Sequence, residues 1–180
     1  MRTSVDIQQF VTDARNGDKE AFGKLYDTFL DAVYRFVYFR VSSREDAEDI
    51  TESTFVSVFE HIGEYKEHGI PFEAWLFRIA RNKLIDYYRK RKSGIPLETI
   101  AEMQDVHDGP EKQTEQALTK EIIMKSIREL PDSYQEIIIL KYIEERENEE
   151  ISILLDKPPA HIRVLQSRAL QKLRSILHYE

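Results

Sequence analysis

The chain has no cysteine among its 180 residues. That excludes a disulfide framework and any thiolate metal site, and it fits a reducing compartment. Long apolar runs are missing too. Ile137 to Leu140 is far too short to cross a bilayer, which takes about 20 residues. The opening segment MRTSVDIQQF has no apolar stretch of signal-peptide length, so the expected location is the cytoplasm. Glycine and proline are scarce, six of each, and read as punctuation between elements. The five histidines (His61, His68, His107, His161 and His178) are scattered, with no pair at the spacing of a helical zinc site. No glycine-rich phosphate loop and no serine-nucleophile motif occurs. The sequence therefore predicts no catalysis, no metal and no cofactor.

Charge is abundant. Charged residues make up 33% and hydrophobic residues 41%, and 33 acids against 26 lysines and arginines leave a net charge of -7. Such a balance suits a surface-rich helical protein. Net acidity argues against a nucleic-acid partner, but the distribution of charge decides what is bound.

Apolar residues recur at three- and four-residue spacing along most of the chain, and no segment reads as a strand. A short helix is predicted over Val5 to Ala14, ending near Asn16-Gly17. Asp18 is placed to cap a second helix with Phe22, Leu25, Tyr26, Phe29, Val33, Phe36 and Val37 on its inner face. Ser43, three residues before Asp46, resembles a capping box with the shorter acid in the glutamate position. The helix it opens has Ala47, Ile50, Thr54, Val58 and Ile62 on one side, with Phe55 and Phe59 beside them. Its other face carries Glu45, Asp46, Glu48, Asp49 and Glu52. The segment 63–71 is a loop, and Pro71 suits the first turn of the helix after it. Residues 93–113 have weak periodicity, Gly-Pro punctuation and the acids Glu98, Glu102, Asp105, Asp108 and Glu111, the marks of a linker. Helical pattern then resumes and stops at Pro131. Another helix follows, with Asp132 or Ser133 as its expected cap. A short helix, a proline-bearing turn and a long cationic helix complete a helix-turn-helix pattern. The predicted fold is all-α, with two small helical domains joined by an acidic tether.

Two stretches carry binding chemistry. On the last helix, Ile162, Leu165, Ala169, Leu173 and Ile176 form an apolar stripe, opposed by His161, Arg163, Arg168, Lys172 and Arg174. Arg163 lies in the first two turns, where an arginine in a major groove bonds guanine or phosphate. The stretch FEAWLFRIARNKLIDYYRKRK, Phe72 to Lys92, mixes aromatic rings with Arg78, Arg81, Lys83, Arg89, Lys90, Arg91 and Lys92. Cations attract phosphate and rings stack on unpaired bases. The plainer reading puts Trp75 and Phe77 in the core and uses the cations to complement the helix C-terminus. Tyr87 and Tyr88 fit either role.

Taken in order, REDAEDITESTFVSVFEHI, the loop, FEAWLFRIARNKLIDYYRKRK, the tether and LPDSYQEIIILKYIEERENEEISILLDKPPAHIRVLQSRALQKLRSIL resemble the extracytoplasmic-function (ECF, group four) sigma factors of the sigma-70 family. The resemblance runs from about Phe22 to Leu177. It implies a sigma region 2-like bundle over residues 1–92, a linker over 93–113 and a region 4-like helix-turn-helix over 114–180. Asp46, Glu48, Asp49, Glu52, Phe55 and Val56 would then meet the clamp helices of the largest subunit of core RNA polymerase. The second domain would meet the flap of the second largest. Loop 63–71 would capture a flipped base of the -10 element. Tyr65, Lys66, Arg78, Arg81, Asn82, Tyr88 and Arg89 are the implied -10 contacts. His161, Arg163, Ser167, Arg168 and Lys172 are the implied -35 contacts. An anti-sigma factor is a further implied partner. Departures from the family pattern are Glu52 in place of a common glutamine, the stiff Pro158-Pro159 turn, and His161 where a small hydroxyl residue is common. Leu165 stands where a phosphate-binding arginine is frequent. Two rivals remain on the residues alone: a stand-alone helix-turn-helix regulator, and a helical adaptor without DNA contact.

Overall fold

The computed structural model describes residues 4–66, 69–92 and 115–177. The predicted linker and part of the loop at 63–71 therefore lie outside the described residues. Among the described residues there are eight α-helices and no strand. Helix α1 spans Ser4–Arg15, α2 Lys19–Tyr38 and α3 Arg44–His61; a 3-10 turn, Ile62–Glu64, leads toward α4, Phe72–Lys92. The second half holds α5 Glu115–Arg128, α6 Asp132–Ile138 with a π-helical turn at Ile139–Ile143, α7 Asn148–Leu155 and α8 Pro159–Leu177.

Local chemistry sets the boundaries. Gly17 takes φ +94°, a left-handed conformation open to glycine at no steric cost, and so closes α1. The Asp18 carboxylate accepts the backbone N–H groups of Glu20 (2.8 Å) and Ala21 (3.1 Å). Replacing Asp18 by alanine removes this cap and should cost about 1 kcal/mol, read as a lowered thermal midpoint. Ser43 caps α3 as expected, accepting from the Asp46 N–H at 3.0 Å. The Asp46 carboxylate does not complete a capping box. It accepts the Tyr87 hydroxyl at 2.7 Å and ties α3 to α4.

The first core gathers Leu25, Phe29, Val33, Phe36 and Val37 of α2 around Leu76, Phe77, Ala80 and Leu84 of α4. Phe36 and Phe77 meet edge-on at 5.1 Å, a favoured aromatic geometry. On α3 the buried Thr51 and Thr54 hydroxyls each return to a carbonyl one turn back, Ala47 and Ile50, at 2.7 Å. Buried hydroxyls are thereby satisfied without a partner from another element.

The second core is built on Ile127, Leu130, Ile137, Ile139, Leu140, Ile151 and Ile162. Here the expected cap is corrected. Pro131 occupies the N-cap position, without a side-chain cap, and Asp132 is the first helical residue. Gln135 supplies the missing polar service from inside α6. Its amide donates to the carbonyls of Arg128 (3.1 Å) and Leu130 (2.8 Å) at the end of α5. The periodicity gave no sign of the π turn. Four successive apolar residues, Ile137 to Leu140, are all buried, so this helix is enclosed on every side and shows no amphipathic phase. A capping box at Glu147 and Glu150 opens α7, and Asp156 ends it in the left-handed region at φ 53°. Pro159 then starts α8 with its ring at the first helical position.

The two domains are in contact. Helix α4 lies against α7, and Arg35 of α2 reaches Glu144 just beyond the π turn.

Candidate nucleic-acid interface

Helix α8 presents all five of its predicted contacts to solvent: His161, Arg163, Ser167, Arg168 and Lys172 are exposed, above the buried Ile162, Leu165 and Ala169. At about 100° per residue they form two rows rather than one. Arg163 and Ser167 continue to Arg174; His161, Arg168 and Lys172 lie roughly a third of a turn away. Leu165 is in the core, so that position offers no side chain to DNA in this fold. Gln166 bonds Asn148 at 2.7 Å and fixes α8 against the start of α7. The turn between the two helices is closed separately, by the Ser152 hydroxyl donating to the Lys157 carbonyl at 2.5 Å.

On α4 the predicted residues separate. Asn82 and Arg89 are exposed. Arg81 is turned onto the second domain, donating to Glu136 at 2.7 Å and to the Leu154 carbonyl at 3.3 Å. Arg78 lies 3.8 Å from Asp156. Tyr88 is half-buried with its hydroxyl on the Arg40 carbonyl, and burial raises its pKa, opposed by the Arg40 charge. Tyr87 is also half-buried, pushed up to about 12 first by burial and then by the hydrogen bond its hydroxyl donates to the Asp46 carboxylate. Both rings thus anchor α4 rather than stand open. Phe77 belongs to the packed interior, as the plainer reading held, and Trp75 is partly buried against it. In the loop, Lys66 is exposed while Tyr65 is buried, its hydroxyl donating to the Ile70 carbonyl at 2.7 Å and its ring on Phe72 and Trp75.

Helix α3 forms a third surface. Asp49, Glu52, Ser53, Val56, Ser57 and Glu60, with Lys83 of α4, line a shallow open depression. Val56 and Phe59 are each 49% exposed. Of the other predicted polymerase contacts, Phe55 is buried edge-on against Tyr26 at 4.7 Å. Glu48 is exposed but paired with Arg44 at 2.8 Å, and Asp46 is engaged by Tyr87. Phe59 was not among the predicted contacts, although its spacing of three from Val56 places both on the outer half of the helix. The acids of α3 form no metal cluster, and no group of that kind occurs among the described residues.

Two family models match the chain: Sigma-70 region 2 over residues 25–94 and Sigma-70, region 4 over residues 120–173. The ECF RNA polymerase sigma factor BldN of Streptomyces coelicolor is 32% identical over 177 residues, covering 97% of this chain and 67% of its own length. The ECF RNA polymerase sigma factor SigW of Bacillus subtilis is 31% identical over 181 residues, covering 95% of this chain and 96% of its own. Among solved structures, CnrH in complex with the cytosolic domain of CnrY shares the fold with a TM-score of 0.72 at 22% identity, over 97% of this chain and 99% of that one. The sigma factor RpoE in complex with the anti-sigma factor NepR from Bartonella quintana gives 0.62 at 22% identity, over 87% and 96%.

The fold and its surfaces are thus those of a two-region transcription initiation factor. The chain belongs to the ECF sigma factors of RNA polymerase, and it acts as an alternative sigma factor whose two regions serve core polymerase and promoter DNA.

Proposed function

We propose that the chain is a promoter-specificity subunit with no catalysis of its own, and that its roles divide along the domains 1–92 and 114–180. The first domain docks on core polymerase through the outer face of α3, with Asp49, Glu52, Val56 and Phe59 in contact. It reads and opens the -10 element with Lys66, Arg78, Arg81, Asn82 and Arg89. The second reads the -35 element with the two exposed rows of α8. The observation that carries this reading is the capped α7, the short turn and α8 with five exposed polar side chains over a buried stripe, an arrangement that suits α8 to a major groove. The work is done in the cytoplasm; among the described residues no helix is long and apolar enough to cross a membrane. An anti-sigma factor is the expected antagonist, as NepR is named for RpoE of Bartonella quintana.

Promoter-dependent transcription with purified core polymerase tests the assignments. Asn82→Ala should weaken -10 recognition and Arg163→Ala -35 recognition, each by about 5- to 150-fold, since a base contact discriminates by about 1–3 kcal/mol. Core binding should be unchanged in both. Unaltered promoter preference in both variants would overturn the reading.

A further inference from the structure

Among the described residues, five ion pairs join the two domains: Arg35–Glu144, Arg40–Glu136, Arg81–Glu136, Arg78–Asp156 and Arg146–Glu73. In four of the five the cation belongs to the first domain and the acid to the second. Arg35 meets Glu144 with two parallel bonds of 2.6 and 2.9 Å. Glu136 receives Arg81 at 2.7 Å and Arg40 at 3.3 Å on the same oxygen. Guanidinium groups bond carboxylate and phosphate with the same fork. The second domain therefore offers these arginines the chemistry that a nucleic-acid backbone would offer.

The contact is selective. It engages Arg81 and Arg78, the first at 2.7 Å from Glu136 and the second at 3.8 Å from Asp156. Asn82, the α3 depression and the α8 contacts stay exposed. A charged contact of this kind is also poorly suited to being permanent. The Arg40 side chain is 1% exposed and the Glu136 side chain 8%, and the Arg40 Nε has no partner. Removing charges from water offsets much of what their attraction returns, whereas opening rehydrates both.

We propose that the acidic face of the second domain, Glu136 with Glu144 and Asp156, is an internal competitor for promoter phosphate that holds Arg81 and Arg78 in a closed chain. The closed chain docks on core polymerase through the exposed α3 face, and opening releases the arginines to DNA. The competitor role rests on the reading of Arg78 and Arg81 as DNA contacts. The ion-paired closure does not.

The chain lacks cysteine, so Asp27→Cys and Gln171→Cys, both at exposed positions, give a specific dye pair across the domains of the full-length protein. Glu136→Gln with Glu144→Gln should lengthen the dye separation. Salt raised from about 0.05 to about 0.5 M should act in the same direction but less strongly, because it screens the exposed Arg78–Asp156 pair and hardly reaches the buried Arg40–Glu136 pair. The probe for binding is a mixed-sequence single-stranded oligonucleotide, because phosphate contacts need no particular sequence. If the native chain is open about a tenth of the time, the double variant should bind the probe about tenfold more tightly. Arg78→Ala with Arg81→Ala added to it should abolish the gain. A dye separation unmoved by both substitution and salt overturns the closure. Separation without gain in binding overturns the competitor role and removes Arg78 and Arg81 from the DNA face. The transcription test on Asn82 and Arg163 is read independently of either result.

Discussion

Replacing Phe77 by alanine will melt the first domain tens of degrees below the native chain, with far less change in the second. Phe77 is 1% exposed and sits edge-on to Phe36 at 5.1 Å. A buried phenylalanine cut to alanine costs about 3–5 kcal/mol, with about 0.5–1.5 kcal/mol more for a lost aromatic pair. Domains hold only about 5–15 kcal/mol in total, and each kcal/mol moves the midpoint of a small domain by about 4–8 °C. Phe77 packs on Phe36 of the same domain, while the second domain is built on its own helices around Ile137, Leu140, Ile151 and Ile162 and meets the first through α4 and α7. Scanning calorimetry should therefore resolve two transitions in the variant. A midpoint lowered by less than about 5 °C would show that Phe77 is not the keystone its burial suggests.

The reach of the sequence can be judged from the elements themselves. Helix boundaries were legible where a local signal exists: Asp18 and Ser43 cap as expected, and α4 covers Phe72–Lys92, the stretch singled out for its rings and cations. The stripe of α8 was legible because one face is solvated and the other is not. The π turn was not, because the run Ile137 to Leu140 is buried all round and loses its phase. On α3, the division between Phe55 inside and Phe59 outside was hard to see. At about 100° per residue they lie only roughly 40° apart on the helix, and which one is covered depends on α2. Tyr26 and Phe22 settle it, closing over Phe55 and flanking Phe59 at 5.0 Å.

The cross-domain pairs had no local signal at all. Arg81 and Glu136 are 55 residues apart and Arg35 and Glu144 are 109 apart. The puzzle of positive charge in an acidic chain has a structural reply on this point. Part of the surplus acid is spent on the arginines themselves, from the second domain onto α2 and α4. A charge census along the sequence cannot separate acids that repel DNA from acids that occupy its place.

Phe59→Asp should remove most of the affinity for core polymerase while leaving the fold intact. Phe59 and Val56 are each half exposed on α3, and Val56 lines the depression with Asp49, Glu52 and Glu60. An apolar centre with a charged rim is the anatomy of a binding patch, and a few central side chains carry most of its energy. Losing one such anchor costs at least about 2 kcal/mol, or roughly 30-fold in affinity. Aspartate should do worse than alanine, since docking would also bury an unpaired carboxylate. Half of Phe59 faces water and its ring meets Phe22 edge-on at 5.0 Å, so helicity should be kept while the midpoint falls by several degrees, at about 4–8 °C per kcal/mol. Ile85→Asp is the matched control: Ile85 is 43% exposed but stands on α4 rather than on α3, so its affinity should stay within about twofold of native. Competition against labelled native protein for core polymerase gives both numbers. Native-like binding by Phe59→Asp would move the polymerase contact off the outer face of α3.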